Sequence, residues 1–201
     1  MNQAILNKSR SDKFLMVLDI PIELKKRFDT VLESKYDADV MQFSTYGSPV
    51  PTVSVPSIDV PFDNQVYKAS SLSRPAYQPL NIKFFVDNGY KNYWLIWQWL
   101  NLFNEAKTST SQIGVREIPR GNNVDVPLGI TMADLVSKFS IYALDEYNKK
   151  IISFTYSHAF PVSLGEINYS HQDPSEITCI AGFAFNQLQV ELIKNVDNTD
   201  C

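Results

Sequence analysis

From Ile151 onward, apolar and polar positions alternate. Ile152, Phe154, Tyr156 and His158 are interleaved with Ser153, Thr155 and Ser157. Side chains along a strand face opposite sides in turn, so the pattern predicts a half-buried strand with the first set inward. Phe160-Pro161 marks a corner that ends this ladder, because proline fixes φ and has no backbone donor. Leu164, Ile167 and Tyr169 then predict a second short strand, with Gly165 at a bend or bulge. Gln172-Asp173-Pro174-Ser175 reads as a turn. Ile177, Cys179, Ala181, Phe183 and Phe185 form the inward row of a third strand, and 188–201 reads as a polar tail.

The N-terminal half carries the same signals less regularly. Residues 1–9 are polar and predict a flexible arm. Phe14 to Ile20 is a nearly continuous apolar run, as in a strand covered on both faces, and Pro21 ends it. Glu23 to Ser34 predicts a short helix, and Asp39 to Tyr46 another strand. Between Pro49 and Pro79 six prolines exclude a central strand, so Val53–Val60 and Gln65–Ser71 read as edge or extended excursions. Leu80–Val86 alternates clearly. Asp87-Asn88-Gly89 supplies a turn and a cap for a helix from Tyr90 to Ala106. Its predicted buried stripe is Tyr93, Ile96, Trp97, Leu100 and Phe103, with Trp94 and Trp99 flanking. Residues 107–127 form a long polar loop of the kind that serves binding or assembly. Asp134–Leu144 returns to strand, and Asp145-Glu146-Tyr147-Asn148 makes a hairpin turn. The sum is a mainly β fold, a β-sandwich or small barrel with one flanking α-helix, in a single domain over 1–201.

Composition changes this picture little. With 201 residues, 44% hydrophobic and 20% charged, the chain can bury a core, and the 12% aromatic share suits a β-rich one. A net charge of −4 without a basic cluster argues against nucleic-acid binding as the main activity. Cys179, on an inward row, and Cys201 fit a reducing compartment. The apolar stretch Tyr93–Phe103 is too short to span a bilayer.

Candidate chemistry is sparse. His158 and His171 are the two histidines, and no spacing of His, Cys or carboxylates suggests a metal site. No phosphate-cradling glycine motif and no Gly-x-Ser-x-Gly occurs, so no cofactor and no catalytic residues are expected. Asp145-Glu146 reads as a solvated turn before an acid–base pair. Glu166 and Glu176 read as a solvated strand face, with inter-subunit ion pairs as the alternative.

Three segments in order carry a family resemblance. These are Arg10-Ser11-Asp12-Lys13-Phe14 opening the first strand, Leu80 to Val86 running into the aromatic helix, and the corner Ala159-Phe160-Pro161-Val162-Ser163-Leu164-Gly165-Glu166-Ile167 followed by Asp173-Pro174-Ser175-Glu176-Ile177. They resemble the tail tube proteins of contractile-tailed bacteriophages over about half of the chain. The resemblance implies a non-enzymatic virion component, assembled in the host cytoplasm, whose homohexameric rings stack into the conduit for DNA ejection. Implied partners are the chain itself, sheath, tape-measure and baseplate or neck proteins, with DNA passing unbound and no membrane involved. A baseplate or neck relative that starts or ends the tube, and the tube subunit of a bacterial contractile secretion system, share the pattern. A carbohydrate- or receptor-binding β-sandwich is the rival from another class, and would expose its aromatics on loops.

Overall fold

The computed structural model describes residues 8–25, 45–103, 132–172 and 175–193. The strands are β1 (Phe14–Leu18), β2 (Thr45–Gly47), β3 (Ser57–Phe62), β4 (Gln65–Ser70), β5 (Leu80–Phe85), β6 (Ser137–Leu144), β7 (Lys150–Leu164), β8 (Thr178–Ala184) and β9 (Gln187–Leu192). Helix α1 spans Lys91–Phe103 and a single turn, α2, spans Met132–Leu135. Seven strands form one antiparallel sheet in the order β1-β6-β7-β8-β5-β2, with β9 also on β7. The sheet curls into a nearly closed, barrel-like shape. The mainly β expectation holds.

β7 is the spine, and it corrects the predicted corner. The strand runs unbroken through Pro161, which faces Phe183 across the ladder. Its first half pairs with β6 on one side and β9 on the other; from Phe160 it pairs with β8 alone. With a neighbour on only one side, a missing N–H there is tolerated. The bend comes earlier, at a β-bulge opposite β6 between the pairs Ser137↔Ala159 and Phe139↔Tyr156. His158 occupies it at φ 54° and is exposed, not inward as alternation predicted. One inserted residue reverses the facing of the residues after it. No strand forms over Leu164–Tyr169 beyond Leu164 itself. Gly165 donates to Ile180 O at 2.7 Å, and a Cβ there would stand 3.0 Å from that oxygen, so glycine lets β7 end tight against β8.

β8 and β9 behave as one bent strand lying antiparallel to β7, because Asn186 donates to Ser157 O at 3.1 Å across the kink between them. The segment from 187 to 192, read from sequence as the start of a polar tail, is therefore sheet. The rest of the tail, the turn residues 173–174, most of the Glu23–Ser34 helix and Asp39–Tyr46 strand, and the loop 107–127 lie outside the described residues. Of the helix, residues 22–25 form a turn in which Lys25 donates to Pro21 O and Leu24 is fully buried.

The core gathers Met16, Leu18, Phe84, Phe139, Tyr156 and Phe183 between the sheet halves and α1. Of the expected inward row, Cys179, Ala181, Phe183 and Phe185 are buried, and Ile177, just before β8, is half-buried. Tyr156 stacks on Phe139 with centroids 4.4 Å apart and meets Phe185 edge-on at 4.9 Å. Its hydroxyl is buried without a hydrogen-bond partner among the described residues, and burial pushes its pKa well up. Tyr156→Phe removes this unsatisfied group and keeps the ring, so it is expected to raise unfolding free energy by about 1–2 kcal/mol. A higher denaturant midpoint checks this; a lower one shows that the hydroxyl has a partner.

Asn92 sets the rotation of α1. It is fully buried, its Oδ1 accepts from Asp87 N and Tyr93 N at 3.2 and 2.8 Å, and its Nδ2 donates to Phe85 O at 2.7 Å. Asp87 Oδ1 caps the helix by accepting from Lys91 N at 2.7 Å. With this anchor inward, the buried face is Asn92, Leu95, Ile96, Trp99 and Leu102, and Trp97 is 39% exposed. The stripe predicted through Trp97 is thus one position out of phase. A helix apolar nearly all round fits two stripes equally, and the polar anchor selects between them. Asn92→Ala strands Phe85 O and Asp87 N and is expected to cost about 2–3 kcal/mol by urea denaturation.

Candidate assembly surface

The polar residues singled out by sequence do not converge. Asp145 Oδ1 accepts from Tyr147 N and Lys149 N at 2.9 and 2.7 Å, which shapes the β6–β7 turn. Glu166 accepts from Asn168 Nδ2 at 3.4 Å, and Glu176 and His171 are exposed apart from it. Cys179 is buried, which pushes its thiol pKa up. Among the described residues no three metal-ligating side chains lie together.

The surface is unusual at the β3–β4 hairpin. Among the described residues β3 and β4 pair only with each other, every β3 residue is exposed, and neither strand packs extensively on another described element. Val60 faces Tyr67 and Phe62 faces Gln65, so Ile58, Val60, Phe62 and Tyr67 share one face. The opposite face carries Ser57, Asp59, Lys68 and Ser70, with Asp59 and Lys68 ion-paired, and near the tip Pro61 and Val66. Asp63 and Asn64 form the tip at φ 41° and 62°, the two positive values of a type I′ turn, whose twist matches a hairpin. Phe62 is 68% exposed and meets Tyr67 edge-on at 6.1 Å. Free two-stranded hairpins are at best marginal in water, and an amphipathic one leaves an apolar row to be covered.

The second feature is a groove where the barrel fails to close. The end strands of the sheet order, β1 and β2, approach there without pairing. Phe14, Tyr46, Val50, Ile141 and Phe154 supply apolar wall. Arg10, Lys13 and Lys83 supply positive charge, and among the described residues no acidic side chain lines the space itself, although Asp12 stands beside Arg10 and Lys13. Asp12 holds Arg10 through two hydrogen bonds of 2.7 and 2.9 Å, which lowers the Asp12 pKa and raises that of Arg10. Lys13 donates to Asn148 Oδ1 at 2.8 Å, and neither it nor Lys83 meets a carboxylate among the described residues. The outer edge of β9, which pairs with no other described strand and has Val190 and Leu192 exposed, adds a third strip.

The phage tail tube protein family model matches residues 9–191. The chain belongs to that family. Solved structures similar in fold to this tail tube protein include three from contractile particles. A chain of the anti-feeding prophage tube-terminating cap superposes with a TM-score of 0.59 at 12% identity, covering 96% of this chain and 97% of that one. One from the sheath–tube complex of the extracellular contractile injection system PVC gives 0.56 at 9% identity, over 94% and 95%. One from the anti-feeding prophage baseplate gives 0.54 at 13%, over 93% and 97%. A search among curated proteins returned no match. The tail tube protein is a structural component of a phage tail or phage-like particle. Sequence reasoning found its family but missed its groove, whose walls come from five separate segments. The β3–β4 hairpin was half visible: Asp63-Asn64 between two alternating runs is a hairpin signal.

Proposed function

We propose that this tail tube protein is a repeating tube subunit. Its copies close into rings, sixfold by family resemblance, and the rings stack into the conduit through which DNA leaves the particle. Sheath surrounds the tube, tape-measure protein fills its lumen before ejection, and baseplate or neck proteins bound its ends. The supporting observation is the β3–β4 hairpin, which presents an apolar row to solvent in the lone subunit. Free strand edges on β1, β2 and β9 add to it, since joining edges between neighbours removes them. The net charge of −4 suits a wall past which DNA slides without adhering.

Mass photometry across a concentration series, with negative-stain imaging of the product, tests the reading. Rings and stacked tubes are expected. Closed rings that never stack assign the chain to a tube end, and a monomer at every concentration overturns self-assembly.

A further inference from the structure

Asn88-Gly89 is the one asparagine–glycine pair in the chain, and the fold sets it in the open. Tyr90 N donates to Asp87 O at 3.0 Å, which puts Asn88 and Gly89 at the central positions of a tight turn between β5 and α1. Both are exposed. Among the described residues neither the Asn88 side-chain amide nor the Gly89 N–H makes a hydrogen bond. Tyr90 follows at φ 55°, which a residue with a Cβ adopts only under constraint, so hydrogen bonds hold this turn against its own preference. Those bonds converge on Asp87, whose Oδ1 accepts from Lys91 N and whose N–H donates to Asn92 Oδ1. Other exposed asparagines lack the combination. Asn64 precedes Gln65, Asn148 precedes Lys149 and accepts from Lys13 Nζ, and Asn168 precedes Tyr169 and donates to Glu166.

We propose that Asn88 is a site of spontaneous deamidation, with the Gly89 backbone nitrogen as the nucleophile. That nitrogen, as its deprotonated amide, attacks Asn88 Cγ and forms a five-membered cyclic imide. The side-chain nitrogen takes up the proton and leaves as ammonia. Glycine permits the attack because no side chain stands beside the attacking atom. Water then opens either C–N bond of the imide. Opening at Cγ gives aspartate at position 88. Opening at the α-carbonyl gives isoaspartate, in which the backbone runs through Cγ. Aspartate adds a negative charge at the N-terminal end of α1, where such a charge is tolerated. Isoaspartate lengthens the turn by one carbon and moves Asp87 relative to Lys91 and Asn92, the two residues it holds. The modification therefore acts on the anchor that sets the rotation of α1. In an assembled particle, whose subunits are not replaced, converted copies accumulate with age.

The test incubates the full wild-type chain in heavy-oxygen water at neutral and at mildly alkaline pH. Peptide mapping by mass spectrometry, with fragmentation that separates aspartate from isoaspartate, follows every asparagine. Position 88 is expected to convert first, faster at the higher pH, and to carry one heavy oxygen. Gly89→Ala is expected to slow the conversion about tenfold. A Cβ there would come no nearer than 3.5 Å to the Lys91 side chain, and an unchanged thermal midpoint confirms that this variant folds. Aged wild type rich in isoaspartate is expected to melt below fresh protein, and Asn88→Asp to melt with it. Conversion of other asparagines while Asn88 stays an amide overturns the proposal. So does a Gly89→Ala chain that converts at the wild-type rate, or conversion at 88 without heavy oxygen. Equal midpoints for fresh and isoaspartate-rich protein overturn the link to α1.

Discussion

Trp99→Ala is expected to lower the free energy of unfolding by about 3–5 kcal/mol, and Trp97→Ala by less than about 1 kcal/mol. The two residues lie half a helical turn apart and share chemistry, so the contrast isolates position. Trp99 is fully buried, meets Phe183 edge-on at a centroid distance of 5.9 Å, and donates from Nε1 to Leu135 O at 2.8 Å. Truncation empties that volume and strands a buried carbonyl that anchors α2 to α1. Trp97 is 39% exposed and leaves no enclosed cavity when cut. Urea midpoints at unchanged m-value measure both. Equal losses would mean that α1 packs through the opposite stripe, and the Asn92 anchor would then need another role.

Replacing residues 57–70 by a short Gly-Ser link is expected to abolish assembly while leaving the subunit as stable as before. The hairpin packs extensively on no other element, so its removal takes little from the core. The apolar row of Ile58, Val60, Phe62 and Tyr67, in contrast, is surface whose burial the lone chain does not provide. Thermal unfolding reports the first half and mass photometry the second. A shortened chain that still forms rings would move the assembly contact to the free edges of β1, β2 and β9.

Sequence pattern was a good guide where one strand face is buried and the other wet. Leu80–Phe85, Ser137–Leu144 and Thr178–Ala184 fall within predicted strands, because the period-2 signal reports such a face directly; Phe14–Leu18 was found from its continuous apolar run, but it is not covered on both faces, since Val17 is exposed. It failed where the backbone departs from that period. The bulge at His158 inserts a residue, and Pro161 looks like a terminator although its strand continues along a single neighbour. β9 was overlooked although Leu188, Val190 and Leu192 alternate, because half-exposed rows between Gln and Glu resemble a tail. The phase of α1 rested on one polar residue that no hydrophobic count weighs. The assembly surface was legible least: the hairpin faces no core, and the groove exists only once β1 and β2 have been brought together by strands far along the chain.

The pairing of β1 with β6 sets a delay in biosynthesis. Roughly 120 residues separate Leu18 from Ser137, so at about 5–20 residues per second β1 waits roughly 6–24 s before its partner is made. Throughout that interval Phe-Leu-Met-Val-Leu is an apolar, proline-free strand with nothing to pair with, the kind of segment that seeds aggregates. Charges stand on both sides of it, Arg10, Asp12 and Lys13 before and Asp19 after. They act as gatekeepers on the nascent chain, keeping the strand soluble until β6 emerges and long-range pairing becomes possible.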